Sequence, residues 1–352
     1  MSNNNSDQSD IQTKTHRNKK RKAVALLSGG LDSNLAVRMM QEQGIAVEAV
    51  AIKTPFCDFD CGKGCGHRVK EVATELGIEL KTVYLGEEYL RMLKRPKYGY
   101  GSGMNPCIDC RSMMYRAAKE HMERVDADFI ITGEVLFQRP MSQNNRALHI
   151  IEEETGTTGR VLRPLSAKHL PPIEVEKNGI VKREDLEDIK GRSRKRQLVL
   201  ARHFNISEPP NSAGGCLLTD PAFSKRVRDI IEYTENIPSI NDVELLKVGR
   251  HFRLSKVAKL VVGRNRDENE IIDSLVLEND IVLETKGYTG PRCILRSKNC
   301  SDTTIEKSAK IVLRYSDAPK KEVSTVKVII HGKEEEILTS PINEEELKTL
   351  RI

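Results

Sequence analysis

The segment AVALLSGGLDSNLAVRMM (residues 23–40) runs from an apolar stretch into an amphipathic one through a short turn containing two glycines. Residues 23–27 read as a buried strand, and from Asp32 onward Leu35, Ala36, Met39 and Met40 recur at helical spacing. Ser28, Gly29, Gly30 and Leu31 must therefore carry the chain from strand to helix. Such a unit aims backbone N–H groups and the positive end of a helix dipole at one place, which favours an anion, phosphate above all. The glycines let the main chain approach that anion, and Ser28 and Ser33 add hydroxyl donors. Asp32 either holds Mg2+ against the phosphates or caps the helix. Neither GxxxxGK[ST] nor GxGxxG occurs here, so the two common nucleotide fingerprints are excluded.

Outward from this unit, strands and helices alternate. Residues 45–54, 78–85 and 127–133 read as strands, and 68–77 and 107–125 as helices. Alternation of this kind predicts an α/β fold, a doubly wound parallel sheet whose ligands sit beyond the carboxyl ends of the strands. The SGG turn and Gly133 both belong at that edge. After about residue 236 the texture changes to short alternating runs broken by Gly and Pro, then a helix over 303–315. VKVIIHGKEEEIL closes the series as two strands about a His-Gly turn. The expected division is a polar, disordered tail over 1–22, a first domain over 23–235, and a second, smaller α+β domain over 236–352.

The chain has 352 residues, 38% of them hydrophobic and 31% charged, and no apolar run nears the ~20 residues of a membrane span. The first 22 residues lack an apolar h-region, so a cytoplasmic protein with no membrane partner is expected. The net charge of +6 is mild, but KGRSRKRQ (190–197) places five cations in eight residues. That run is either a solvated helix face or a phosphate-binding one. Arg192, Arg194, Lys195 and Arg196, with Arg250, Arg253 and Lys259, are the candidate phosphate contacts. With 4% aromatics and no Trp, base stacking is not expected to dominate.

Eight cysteines stand at 57, 61, 65, 107, 110, 216, 293 and 300. In a chain of this size without a signal peptide, metal or sulfur chemistry is the better reading than disulfides. NPCIDC (105–110) opens the long helix with Cys107 and Cys110 on one side of its first turn, where the helix terminus is expected to favour thiolate. Zinc, a redox dithiol and an iron–sulfur cluster all use CxxC. NSAGGCLLTD (211–220) presents Cys216 on a loop. Cys57, Cys61 and Cys65 are spaced C-x3-C-x3-C-x-H with His67, which matches neither a ferredoxin nor a zinc finger. They form either a second metal site, zinc or iron–sulfur, or a glycine-rich loop with incidental thiols. Cys293 and Cys300 read as structural.

SGGLDS resembles the PP-loop, SGGxDS, of the ATP pyrophosphatases, which cleave ATP to AMP and pyrophosphate and adenylate a substrate. With NPCIDC and GGC added, residues 23–232 look like the PP-loop tRNA thiolation enzymes. TGEVLFQRPMSQ (132–143) is similar to the segment after the fourth strand in tRNA 4-thiouridine synthases. GRHFRL, LVVGRNRDENE and GYTGPRCILR resemble the NFACT-R type of RNA-binding domain over roughly residues 240–342. The resemblance implies ATP and Mg2+ at Ser28, Gly29, Gly30, Asp32, Ser33 and Gly133, with tRNA and a sulfur donor (sulfide or a persulfide carrier) as partners. It implies a [4Fe–4S] cluster on Cys107, Cys110 and Cys216 with one iron open, or else a persulfide on Cys216 resolved by Cys107 or Cys110. Asp32 and these three cysteines are the expected catalytic residues of a tRNA sulfurtransferase that makes 4-thiouridine, or alternatively 2-thiouridine at the wobble position.

The pattern departs from those families in three places. Twenty-two polar residues cannot be a THUMP domain, no rhodanese-like domain is evident, and the C-terminal segment does not read as the β-barrel of the 2-thiouridylases. Two other functions fit parts of the chain. An ATP-dependent amidotransferase or small-molecule ligase would leave the cysteine set unused. An RNA-binding protein with a relict ATPase fold would not be expected to keep SGGLDS intact.

Overall fold

A computed structural model describes residues 21–56, 68–206 and 216–352. Two sheets organise them. The first has five parallel strands, β1 (Lys22–Leu26), β2 (Ala46–Lys53), β3 (Leu80–Tyr84), β4 (Phe129–Thr132) and β5 (Val161–Leu162), in the order β3-β2-β1-β4-β5. Its helices are α1 (Leu31–Glu42), α2 (Val69–Leu76), α3 (Glu87–Lys94), α4 (Cys107–Arg124) and α5 (Asn145–Thr155), followed by α6 (Glu174–Lys177), α7 (Lys195–His203) and α8 (Pro221–Tyr233). This is the doubly wound parallel sheet that the sequence predicts, with both ends of β1 to β4 within two residues of their expected places and β5 unforeseen.

Strand β1 shows why. Ala23, Ala25 and Leu27 pack into one core with α1, α2 and α7, while Val24 and Leu26 pack into another with Tyr115, Ala118 and Met122 of α4. Burial on both faces requires a continuous apolar run, as parallel strands under helices do. Strand order reverses between β1 and β4, so their carboxyl ends, Ser28 and Gly133 onward, flank the crevice where open α/β sheets bind ligands.

The second sheet has six antiparallel strands, β6 (Arg250–Ser255), β7 (Ala258–Val262), β8 (Ile281–Thr285), β9 (Cys293–Ser297), β10 (Ser324–Ile330) and β11 (Lys333–Thr339), in the order β11-β10-β8-β9-β7-β6. His331 and Gly332 make the turn between β10 and β11, as expected. Helices α9 (Ile240–Lys247), α10 (Arg266–Ser274), α11 (Asp302–Arg314) and α12 (Glu344–Leu350) complete it. Phe252, Leu260 and Leu295 face α11 and α12, whereas Val261 and Ile294 face α9 and α10. Helix α9 also sends Val243 and Leu246 into the core built on α3 and α8, so it ties the two sheets together. Among the described residues no helix is long and apolar enough to cross a membrane.

Candidate active site at the sheet switch point

The turn after β1 is held by its own serines. Ser28 N–H donates to Ser33 Oγ at 3.3 Å, the two hydroxyls lie 3.2 Å apart, and Ser33 O–H donates to the Gly30 carbonyl at 2.9 Å. Gly29 has φ 75°, a left-handed conformation that a side chain would strain. Helix α1 begins after Gly30 with no side-chain cap, so its first N–H groups are left for another partner. Across the crevice, a Cβ on Gly133 would lie 2.4 Å from both the Asp32 carbonyl carbon and the Ser33 nitrogen. Only glycine lets β4 pass that close to the loop.

Asp32 is not the cap of α1. Gln138 Nε2 donates to its Oδ2 at 2.9 Å, while its Oδ1 is buried with no hydrogen-bond partner among the described residues. Burial raises the Asp32 carboxyl above the usual aspartate value, against the pull of Gln138, Arg194, Gln197 and Arg139. A buried, unsatisfied carboxylate oxygen beside a phosphate-type loop suits a divalent cation such as Mg2+. Gln197 of α7 is wholly buried beside it, and neither end of its carboxamide makes a hydrogen bond among the described residues.

Behind Gly133 lies a buried charge cluster that sequence reading missed. Arg163 donates to Glu134 Oε2 at 3.1 Å, to Glu152 Oε1 at 2.6 Å and to the Tyr115 hydroxyl at 3.1 Å. Tyr115 in turn donates to Glu134, and Arg111 stands 3.6 Å from Glu134 Oε1. Burial alone would raise the Glu134 carboxyl, but Arg111 and Arg163 hold it below the usual carboxylate range. Arg111 follows Cys110 directly, so the cluster braces the first turn of α4. Its available signal was positional: Glu134 and Arg163 follow the carboxyl ends of β4 and β5.

Cys107, Cys110 and Cys216 are all half-buried. Met104 N–H, just before α4, donates to the Leu218 carbonyl at 2.9 Å, which ties the segment after Cys216 to the approach to the CxxC turn. Asp109, inside the CxxC, accepts the N–H groups of Lys97 and Tyr98 at 2.9 and 3.1 Å. The expected low-pKa thiolate is corrected at Cys107: burial pushes this thiol up, outweighing Arg111 and Arg139. Among the described residues no three His, Cys, Asp or Glu side chains form a group that could hold a metal ion. Three soft thiols at the ends of tied segments nonetheless match the donor chemistry of iron–sulfur ligation. Cys57, Cys61 and Cys65 lie outside the described residues. Cys293 is fully buried in β9, its thiol pushed up by burial, as a structural residue would be.

The candidate phosphate contacts divide. Arg192 and Lys195 are exposed, and Arg194 is half-exposed at the start of α7, facing Asp32. Arg196 forms two hydrogen bonds with Glu187 at 2.6 and 2.8 Å. Two further candidates are paired within the fold. Arg253 is engaged in a two-point pair with Asp229 at 2.6 and 2.9 Å, and Lys259 is buried 3.2 Å from the same carboxylate. Both follow from the antiparallel register, which sets Arg253 against Lys259 on the sheet face that α8 covers.

Residues 18–184 match the family model of the thiamine biosynthesis protein (ThiI), and residues 249–351 match that of the NFACT protein RNA binding domain. Residues 18–184 are thus of the ThiI PP-loop type. The ThiI-type domain is joined to an RNA-binding domain of the NFACT-R family. The chain is 24% identical over 292 residues to the tRNA-specific 2-thiouridylase MnmA of Methylobacillus flagellatus, covering 77% of this chain and 76% of that one. To MnmA of Syntrophotalea carbinolica it is 31% identical over 127 residues, 33% of this chain and 35% of the other. Among solved structures, a 4-thiouridine synthetase in complex with RNA and ATP overlays with a TM-score of 0.35 at 21% identity, over 64% of this chain and 52% of that chain. The U34-tRNA thiolase NcsA of Methanococcus maripaludis, with its [4Fe–4S] cluster, overlays with a TM-score of 0.32 at 18% identity, over 60% and 65% respectively. The chain spans about half the length of that synthetase.

Proposed function

We propose that this protein is an ATP-dependent tRNA sulfurtransferase that adenylates a uridine and replaces its carbonyl oxygen with sulfur, giving 4-thiouridine. One observation carries the reading: the open SGGLDS turn, with the unsatisfied Asp32 Oδ1, lies at the switch point of a ThiI-type sheet, and α4, which packs against β1, begins at CxxC. The first N–H groups of α1 bind the ATP phosphates, and Asp32 would hold Mg2+ against them. The uridine carbonyl oxygen attacks the α-phosphorus and pyrophosphate leaves. Donors already aimed at the phosphates stabilise the charge that develops, each by a few kcal/mol. A sulfur nucleophile then attacks the activated ring carbon and AMP departs.

Cys107, Cys110 and Cys216 would hold a [4Fe–4S] cluster, which when bound supplies an open iron that presents hydrosulfide. The chain's own part is to keep those thiols half-buried, away from bulk water, with Arg111 fixed between Glu134 and the CxxC turn. Arg194, which faces Asp32, and its exposed neighbours Arg192 and Lys195 meet tRNA phosphates.

A second reading, thiolation at C2, is supported by the 2-thiouridylases among the relatives. Pyrophosphate release from ATP that requires tRNA, followed by mass analysis of the digested nucleosides, tests both. 4-Thiouridine is the expected product. 2-Thiouridine would move the reaction to C2, and tRNA-independent ATP cleavage with no thionucleoside would refute the sulfurtransferase reading.

A further inference from the structure

Five cations from separate parts of the chain meet where α8 crosses the second sheet. Lys225 and Arg226 come from α8, Arg250 from the start of β6, Arg264 from the turn before α10, and Arg351 from the residue after α12. They line an open groove of about 460 Å3. Arg250 is braced, stacking 4.6 Å from the Tyr315 ring centroid and donating to the Gly263 carbonyl at 3.3 Å. Arg226 is braced as well, donating to the Leu246 carbonyl at 2.9 Å.

Their charge is only partly answered. Asp220 and Glu268 are the carboxylates that face Arg226 here, and Glu268 is already committed to Arg264, with one hydrogen bond at 2.7 Å. Among the described residues neither Lys225 nor Arg351 has a carboxylate within ion-pair distance. The surplus is felt by the groups beneath. Burial, Arg264 and Arg351 pull the Arg226 guanidinium below its usual value. Burial with Lys259 and Arg226 keeps the His251 imidazole on the floor far below its usual value. Like charges from four segments have been gathered against their mutual repulsion, and a polyanion relieves it.

The groove also has a direction. Pro221 lies on its rim, and the five residues back to Cys216 span at most about 18 Å even fully extended. A 3-10 turn at Leu217–Thr219 shortens that path further.

We propose that this groove, formed jointly by α8 and the NFACT-R-type domain, grips the sugar–phosphate backbone of the RNA substrate and leads the strand towards Cys216. The inference rests on the RNA-modifying reading above. It assigns the task of presenting the RNA to the junction of the two domains, rather than to either one alone.

The test is tRNA binding by the full-length protein, measured by filter retention or anisotropy across a salt series. Lys225 and Arg351 are both exposed, so Lys225→Gln with Arg351→Gln removes two charges without touching the core. Each phosphate contact contributes about 0.7–0.9 to the slope of log affinity against log salt. The double variant is therefore expected to lower that slope by about 1.5 and to weaken binding by roughly tenfold near 0.15 M salt. Lys333→Gln, at the exposed β10–β11 turn, serves as the matched control and is expected to change neither. An unchanged slope in the double variant, or an equal loss in the control, overturns the groove while leaving the sulfurtransferase reading intact. Failure of the unaltered protein to bind tRNA at all overturns both.

Discussion

Gly133 and Asp32, a hundred residues apart in sequence, touch backbone to backbone at the mouth of the crevice, where a Cβ on Gly133 would stand 2.4 Å from the Asp32 carbonyl carbon. The obstruction is main chain, which cannot swing aside as a side chain would. Gly133→Ala is thus expected to push the SGGLDS turn out of place. Overpacking of this kind costs about 1–3 kcal/mol. The checks are a urea titration and ATP binding by calorimetry, with affinity expected to fall more than tenfold.

Asp32→Asn separates binding from stability. Burial raises the folded-state pKa of Asp32, so keeping it ionised costs stability above that pKa, and the cost disappears below the ordinary aspartate value of 3.8. The Asn variant is expected to unfold at an equal or higher temperature at neutral pH, with that advantage vanishing as pH falls through the acid range. Mg-ATP binding is expected to be lost. Thermal melts at several pH values, with nucleotide binding at pH 7.5, check both halves. A variant that melts lower at pH 7.5 would contradict the idea that Asp32 is held in place for a ligand.

Arg163 has a side chain only 5% exposed and answers Glu134, Glu152 and Tyr115 together. Arg163→Met leaves a buried carboxylate short of its partner, for which about 3–5 kcal/mol is the usual loss. Urea denaturation measures it. Because Arg111 shares Glu134 with Arg163, the change is also expected to lower iron retention at the neighbouring thiols.

Lys259 offers the opposite case. Burial, opposed by Asp229, pushes its ammonium down to about 8. A lysine whose folded pKa is lowered is penalised below about pH 8, and the penalty is relieved as pH rises towards its ordinary 10.5. Asp229 keeps its two-point pair with Arg253, so Lys259→Met is expected to stabilise the fold at pH 7, by at most about 3 kcal/mol. The gain should shrink between pH 8 and 10.5, as equilibrium unfolding across that range will show.

Anaerobically purified protein is expected to contain about four irons with matching sulfide, the complement of one [4Fe–4S] cluster. Cys107→Ser, Cys110→Ser and Cys216→Ser should each abolish it, whereas Cys293→Ser should not, since that thiol is sealed in the second sheet. A folded, iron-free sample would leave the persulfide on Cys216.

The parallel strands were legible because burial on both faces writes itself as unbroken apolar runs, and the SGGLDS turn because phosphate binding restricts which residues can stand there. The cluster of Arg163, Glu134 and Tyr115 was not, since charged residues buried by mutual pairing look locally like surface residues. The pairing of Arg253 and Lys259 with Asp229 was illegible for the same reason: their register, not their composition, sends them inward. Gln197 hid in a run of cations, although it is the member of that run whose side chain is fully enclosed. Strand β5, only two residues long, carries too little periodicity to be seen.

Strand β1 occupies the middle of its sheet yet is synthesised before the other four strands. It can pair with β2 soon after emerging, but its other edge waits for β4, since Ala23 meets Phe129 a further 106 positions along the chain. At ~5–20 residues per second, that edge stays open on the ribosome for roughly 5–20 s. During this interval an apolar strand with an open edge is a template for mispairing with any neighbouring nascent chain. Yield in the cell should therefore depend on elongation rate and on holdase chaperones far more than the stability of the finished domain would suggest.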